Sequence, residues 1–370
     1  MNLNGATQFL TEKFVRQKAP DSLDILAKKI GSRMDELLSD EIARWSALDP
    51  DLGEPLTFLK EMVLAGGKRL RPAFSYWAYV GAGGDPDSEE ILNAGCALEL
   101  LHSFAIIHDD IMDASLTRRG LVAIHKRFQD KHEGIFWGGE SRRFGEGVAI
   151  LLGDMAFVYA DKMLIGAPVQ AQNIFTELRL EVNIGQYLDL IGTANGNAQP
   201  RISMEQARRI SLYKSGKYTV ERPLHLGVAL LGKFEEYGPS LSRYGVPLGE
   251  AFQLRDDLLG TFGDQSVIGK PVGEDFREGK PTVLAAVAFE RAQGPDAVFL
   301  RERFGAEDLC ADEILRFQEI LTSTGAKREV ELLVDRLCAE AIEAIGNSGL
   351  NESATRELEE LAEYVANREL

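Results

Sequence analysis

Cysteine is scarce in this chain, and the few present are scattered. Three occur in 370 residues, at Cys96, Cys310 and Cys338. An odd number so far apart gives no disulfide framework and no metal-binding spacing, so reduced core thiols and a cytoplasmic protein are expected. Positive charge is also short: 41 lysines and arginines face 58 aspartates and glutamates, a net charge of −17. Such a surface disfavours nucleic acid and anionic membranes as general partners, while leaving room for a local cationic pocket. Histidines number five, His102, His108, His125, His132 and His225. The N-terminal MNLNGATQFLTEKF lacks a basic start followed by an apolar block and predicts no signal peptide. No apolar run reads as long enough to span a membrane, because ALELLHSFAII is cut by His102 and ends in acids. Clear strand runs of valine, isoleucine and threonine are missing too.

What is present is helical periodicity. Hydrophobic residues make up 45% of the chain, ample for a large core, and the length suits one large domain or two ordinary ones. Apolar residues recur in three-four steps over 23–46, 91–112, 148–165, 173–192, 204–231, 240–262, 281–293 and 312–345. Breakers separate them: GAGGDPDS at 81–88, GTANGNAQP at 192–200, GPS at 238–240 and GKPVGEDFREGKPT at 269–282. Residues 128–147, FQDKHEGIFWGGESRRFGEG, are glycine-rich and charged and predict a long loop. Residues 1–22 read as a loosely held arm. The expectation is a single all-α domain over 23–370, a bundle of long helices.

Two acid clusters stand out. HDDIMDASLTRRG at 108–120 closes a nearly apolar helix with Asp109, Asp110 and Asp113. At ~3.6 residues per turn, Asp109 and Asp113 share one face, and His102 lies on the same stripe. Like charges at that spacing repel unless a cation sits between them, and Mg²⁺ fits by taking carboxylate and phosphate oxygens. A solvated helix end is the plain alternative for one such motif. FQLRDDLLG at 252–260 places Asp256 and Asp257 after a second apolar run. Two helix-borne acid pairs suggest two walls of one cavity, the way bundles build metal sites.

The cations are grouped likewise. GGKRLRP carries Lys68, Arg69 and Arg71; Arg118 and Arg119 follow the first acids; YKSGK holds Lys214 and Ser215; Lys270 sits among glycines. Arginine offers a planar fork for phosphate oxygens and lysine a point charge. Each alone is an ordinary surface base, but together they suggest two anion pockets beside one metal cluster.

GGKRLRP, LELLHSFAIIHDDIMDASLTRRG, ILLGD, GQYLDL, YKSGKYT, FQLRDDLLG and GKPVGEDFREGK occur in this order over residues 66–280. In these blocks the sequence resembles the trans-isoprenyl diphosphate synthases, also called polyprenyl synthetases, most of all the short-chain geranylgeranyl diphosphate synthases. The resemblance implies an all-α isoprenoid synthase fold around a central cavity, a homodimer, and head-to-tail condensation of an allylic diphosphate with isopentenyl diphosphate. It implies three Mg²⁺ ions, with Asp109, Asp113 and Asp256 as metal ligands. Arg118, Lys214, Ser215, Gln253 and Lys270 would meet the allylic diphosphate, and Lys68, Arg71, His102 and Arg119 the isopentenyl diphosphate. Asp110 and Asp257 would support them. Phe104, with Ala105 beside it, lies five residues before Asp109, ~7.5 Å down the helix axis. In the family, a lone aromatic there implies a floor that stops elongation at twenty carbons.

One position departs from the family pattern. The second motif usually ends on an acid, and here the residue is Gly260. The expected product is geranylgeranyl diphosphate, with farnesyl diphosphate as the alternative. Further alternatives are a non-catalytic partner subunit, suggested by Gly260, and a metal phosphohydrolase using His108 and Asp109, for which five histidines are few. A terpene cyclase would share the ionisation logic but has no need of a second diphosphate pocket.

Overall fold

The structure is a computed structural model that describes residues 19–198, 203–263 and 272–368. Helix α1 (Asp21–Leu48) follows Pro20 and buries Leu23, Leu26, Ile30, Met34 and Leu38 along one stripe, the three-four spacing expected of an amphipathic helix. Helices α2 (Gly53–Leu64) and α3 (Leu70–Gly81) follow. Helix α4 (Glu89–Met112) starts where Ser88 accepts from the Glu90 N–H, with Glu89 and Glu90 in the first turn, both favourable at a helix N-terminus. It is buried nearly all round and forms the centre of the bundle. Helices α5 (Ile124–Gly134), α6 (Ser141–Met163), α7 (Val169–Ala198), α8 (Met204–Ser211), α9 (Arg222–Leu230) and α10 (Phe234–Phe262) come next, and of these α5, α6 and α9 pack on α4. Shorter and longer helices at 274–278, 283–291, 294–303, 311–323, 326–346 and 352–367 close the far side against α10 and α3. Among the described residues the strands form one hairpin, Thr117–Arg118 with Leu121–Val122.

The all-α expectation holds, but several local readings need correction. The long loop at 128–147 is mostly helix: α5 runs to Gly134 and α6 begins at Ser141, leaving 135–140 as the connection. Its glycines serve packing. A Cβ on Gly145 would sit 2.1 Å from the His125 carbonyl oxygen, so only glycine lets α6 cross α5 this closely. Its charges pair along helices, as in Arg142 with Glu146 at 2.7 Å. GPS at 238–240 does not break the chain; α10 runs through Pro239 and Pro247, held by tertiary packing. Helix α7 continues through Ala198, past the start of the expected breaker. The segment 312–345 is two helices, parted at Gly325, whose φ is +76°. Helices at 53–64, 70–81, 294–303 and 352–367 escaped the periodicity reading. Of the N-terminal arm, residues 1–18 lie outside the described residues, and α1 already begins at Asp21.

The membrane reading is corrected as well. By length and composition α4 is apolar enough to cross a bilayer, with a mean hydropathy of 1.4 over its best window. His102 does not interrupt it. In this fold 67% of that window is buried inside the protein, as suits a core helix.

Candidate active site

The first wall of the site is the end of α4. Asp109 and Asp110 occupy its last turns, and the Asp113 N–H donates to the Asp109 carbonyl at 2.8 Å. Beyond it the hairpin turns through Arg119 (φ +53°) and Gly120 (φ +76°). A two-residue hairpin turn with both residues left-handed matches the twist of its strands. It returns Arg118 over the acids. Arg118 grips the buried Asp110 through Nε at 2.7 Å and through Nη2, and reaches Asp109 at 3.4 Å.

The opposite wall belongs to α10, which supplies Gln253, Asp256 and Asp257. Between the walls lies a cavity of about 400 Å³. Asp109, Arg118, Asp189, Lys214, Ser215, Gln253, Asp256, Asp257, Gly260, Asp275 and Lys280 line it.

Lys214 and Ser215 arrive from a feature that periodicity did not foresee. Residues Leu212–Glu221 form a π-helix between α8 and α9. Its wider turn is rare and often marks a functional site. Two glycines let it pack tightly: a Cβ on Gly185 would meet the Lys214 backbone nitrogen at 2.4 Å, and one on Gly249 the Gly216 carbonyl oxygen at 2.4 Å. Lys214 then bridges Asp109 at 3.2 Å and Asp189 at 2.5 Å, and the Gln186 amide donates to Asp109 at 3.0 Å. Gln186 and Asp189 both lie in GQYLDL, a block quoted above without a role.

Lys280 is a cation to which the sequence reading gave no role. Its ammonium contacts Glu278 at 2.5 Å and Asp113 at 3.1 Å. The signal was the second Gly-Lys pair of GKPVGEDFREGKPT; Lys270, from the first pair, lies outside the described residues. Arg368 is another. It follows the helix at 352–367, pairs with Asp256, and donates to the Phe252 carbonyl at 3.1 Å. Its guanidinium lies 3.9 Å from the Phe252 ring centroid, and Arg255 donates to its carbonyl at 3.1 Å.

The charges set one another's protonation. Burial would raise the Asp109 carboxyl, but Lys214, Lys280 and Arg118 override it and hold the group well below the usual carboxylate range. Burial works against the charged forms of Lys214 and Lys280, and the surrounding carboxylates still raise both. Asp257 is pushed well up, chiefly by burial and then by Asp275, while the Gln253 amide donates to it at 2.7 Å.

A second group of cations gathers around His102 and Tyr218. Arg71 lies 4.2 Å above the Tyr218 ring and donates to Thr219 at 3.0 Å. The Tyr218 hydroxyl is 2.8 Å from His102 Nδ1. Burial, reinforced by Arg71 and Arg119, pushes His102 well down, which favours its neutral form beside the Tyr218 hydroxyl. Arg71 Nε and Arg119 Nη1 are buried with no hydrogen-bond partner, two unspent cationic donors. Gly67 (φ +117°) borders Arg119, where a Cβ would come within 3.4 Å of Nη2. Lys68 is exposed on the adjoining loop. Arg69 serves the fold: it forms a buried ion pair with Glu99 and donates to the Val63 carbonyl at 2.8 Å.

Phe104 and Ala105 stand apart from the polar cavity and do not line it. Phe104 packs against His108 and Phe157, ring centroids 4.6 and 4.8 Å away. Gly153 of ILLGD makes room for the His108 ring, which a Cβ would approach to 2.4 Å.

The donor set suits a hard divalent cation. It is all carboxylate oxygen, on facing helices, amid cations fit for phosphate. Among the described residues no three His, Cys, Asp or Glu side chains converge on one point. A cation here would therefore take one or two carboxylates and draw its other ligands from water and phosphate, as Mg²⁺ does. The histidines make no metal centre: His102 faces Tyr218, His132 contacts the Gly138 carbonyl at 3.1 Å and His225 that of Gly238 at 3.2 Å.

The family model described as Polyprenyl synthetase matches residues 55–321. The chain belongs to this family. The synthetase is 30% identical over 344 residues to a short chain isoprenyl diphosphate synthase from Methanothermobacter thermautotrophicus, covering 90% of this chain and 96% of that one. It also resembles the crystal structure of a geranylgeranyl pyrophosphate synthase from Corynebacterium glutamicum complexed with isoprenyl diphosphate and magnesium. That likeness has a TM-score of 0.87 at 34% identity and covers 93% of this chain and 99% of the other. A polyprenyl synthase from Caulobacter crescentus CB15, complexed with calcium and isoprenyl diphosphate, matches with a TM-score of 0.79 at 26% identity, covering 96% and 99%. The synthetase is thus a prenyltransferase with the all-α fold of its relatives.

Proposed function

We propose that this enzyme condenses an allylic diphosphate with isopentenyl diphosphate head to tail and releases geranylgeranyl diphosphate. One observation carries the reading: apart from the acid-and-cation cavity between α4 and α10, Arg71 and Arg119 belong to a second cationic group with unspent buried donors. One reacting diphosphate needs the first and a second diphosphate needs the other. A phosphohydrolase or a cyclase would leave that second group without a use.

Asp109, Asp113 and Asp256 would hold three Mg²⁺ ions, which supply positive charge to the departing diphosphate. Arg118, Lys214, Gln253 and Lys280 orient that diphosphate and meet the charge that builds on it; Lys270 belongs to the same set by its place in the motif. This is electrostatic stabilisation by groups already in position. Ser215 adds a hydroxyl beside Lys214. Arg71, Arg119, His102 and Lys68 hold isopentenyl diphosphate with its alkene toward the allylic carbon. The alkene attacks as the allylic C–O bond breaks, and a proton leaves the new chain. Neutral His102 is held by Tyr218 and is not assigned as a base; the departing diphosphate can take that proton. A cavity that excludes water would protect the cation from hydrolysis. Phe104, backed by Phe157, stops the growing chain, with Ala105 beside it.

We read the assembly as a cytoplasmic homodimer. Ile150, Leu151 and Val158 on α6 and Leu180, Ile184 and Tyr187 on α7 are exposed, more apolar surface than a lone subunit usually shows. A monomer by light scattering would overturn this.

The test is direct. Purified enzyme with Mg²⁺, isopentenyl diphosphate and, separately, dimethylallyl, geranyl and farnesyl diphosphates should yield a dominant twenty-carbon product. A fifteen-carbon stop would keep the chemistry and reject the floor. No condensation with any primer would favour the partner-subunit reading.

A further inference from the structure

Two turns at one end of the bundle leave large apolar side chains in solvent. One joins α5 to α6: Ile135, Phe136 and Trp137 follow one another there, and Phe136 is 93% exposed. The other joins α1 to α2 and exposes Leu48, at 73%, and Leu52. The turns are neighbours. Helix α2 starts directly after Leu52 and α5 ends directly before Ile135, and Glu54 in the first turn of α2 forms an ion pair with Lys131 in the last turn of α5. Lone apolar residues on a surface need no explanation, but a patch drawn from two adjoining turns marks an interaction site.

The exposure is held in place. Ile135 donates its N–H to the Lys131 carbonyl at 3.1 Å, and Phe136 and Trp137 donate to those of Glu133 and His132 at 3.2 Å. The Trp137 ring packs edge-on against Phe144, centroids 5.3 Å apart. Phe136 is left-handed, at φ +55°, where a bulky residue is strained. The strain turns its ring out into water, and strain that gains no packing among the described residues points to a use outside the fold.

The patch lies at the end of the bundle that carries the first acid motif. Helix α6 runs against α4: Phe104 meets Phe157 at 4.8 Å, while His108, further along α4, meets the carbonyl of Ile150, further back along α6, at 3.2 Å. The start of α6, and the 135–137 turn before it, therefore lie where α4 delivers Asp109 and Asp113. Charges around the two turns are of both signs, Asp49, Asp51, Glu54 and Glu133 beside Lys131, Arg142 and Arg143, in a chain of net charge −17. That mixture suits a surface without net charge and not an anionic one. Protruding apolar side chains with a tryptophan among them suit the headgroup level of a bilayer. A prenyltransferase also releases a product with an apolar tail.

We propose that these two turns dock the enzyme reversibly on an electrically neutral lipid surface, with the acid-motif end towards it. Phe136, Ile135 and Leu48 enter the boundary between headgroups and acyl chains, and the Lys131–Glu54 pair stays among the headgroups. No segment spans the bilayer. The prenyl diphosphate is then released beside the phase that takes up its tail. Docking itself is independent of product length.

The experiment sediments the full-length enzyme with phosphatidylcholine vesicles, without substrate. Wild type should bind equally in low and high salt. Withdrawing one phenylalanine from an apolar phase costs about tenfold or more in partition. Phe136→Asn, which keeps the left-handed turn, should weaken binding by that factor. Leu48→Ser, on the other turn, should weaken it severalfold, and Leu332→Ser, exposed on the helix at 326–346, should not change it. Turnover of each variant without vesicles should match wild type and shows that it folds. Absence of wild-type binding, or equal binding by Phe136→Asn and Leu48→Ser, would overturn the proposal. So would binding that needs phosphatidylglycerol and fades with salt. Light scattering tests the other occupant: if Phe136→Asn breaks the enzyme into smaller species, the turn belongs to a contact between copies and the lipid docking is rejected.

Discussion

Arg368 occupies the carboxylate that the mechanism assigns to a metal. Its guanidinium pairs with Asp256, where the arginine side chain is 8% exposed and the aspartate 39%. A cation that approached Asp256 through the oxygen Arg368 holds would have to displace that contact first. A hydrogen bond to a charged group is worth ~1.5–3 kcal/mol, and the exposure of Asp256 brings this pair down to about 1 kcal/mol. Arg368→Met removes the competitor but keeps an apolar chain over the Phe252 ring, which the guanidinium now covers at 3.9 Å. Mg²⁺ should then bind about fivefold tighter in the presence of inorganic diphosphate, since ~1.4 kcal/mol is tenfold. Calorimetric titration reads this directly. Arg356→Met is the control, because its pair with Glu352 at 3.1 Å is on the surface. Affinity that is unchanged, or weaker, in Arg368→Met would refute the reasoning and make Arg368 a helper of the metal site.

Other expectations concern the buried polar groups and the cavity floor. Burial, partly opposed by Glu221 and aided by Arg222, pushes His225 down to about 4. Its unfolded form takes a proton near 6.5 and its folded form does not, so stability falls as pH drops from 6.5 towards 4, by about 3 kcal/mol in all. Urea midpoints at pH 7, 5.5 and 4.5 should show that slope, and His225→Gln should flatten it in part, leaving the shares of His102 and His125, which burial also pushes down; an equal slope in the variant would reject the assignment. Gly185→Ala drives a methyl into the Lys214 backbone. It should cost about 1–3 kcal/mol by overpacking and lower kcat, whereas wild-type stability and turnover would mean the contact is slack. Phe104→Ala should shift the product beyond twenty carbons by chromatography of the dephosphorylated alcohols, and an unchanged distribution would remove Phe104 from the floor.

Where the sequence was legible, the cause was local. The three-four spacing of Leu23, Leu26, Ile30 and Met34 appears directly as the buried stripe of α1. Asp109 and Asp113 stand one turn apart in the structure because helical repeat alone decides it. Where it was not, the cause was tertiary. Glycine in 128–147 looked like flexibility and proved to be close packing, because Gly145 is defined by the α5 backbone it touches. Pro239 looked like an end and proved to be interior, since packing outweighs propensity. Lys280 and Arg368 reach Asp113 and Asp256 from 167 and 112 residues away in sequence, Asp189 meets Lys214 from 25, and nothing in their own neighbourhoods says where they point.

The π-helical stretch Leu212–Glu221 has a consequence for how this chain can change. On one side of it Lys214 looks towards Asp109; on the other, Arg222 looks towards Glu181, which it meets at 2.6 Å, with His225 one turn on. The wide turn sets the angle between those two directions. Removing one residue from it would relax the stretch to an ordinary helix and rotate one end against the other by ~100°. The cavity cation and the buried Glu181 pair could not then both stay in place. Substitutions at its surface positions are open to drift, but its length is locked, and the enzyme can be retuned here by swapping side chains and not by gaining or losing residues.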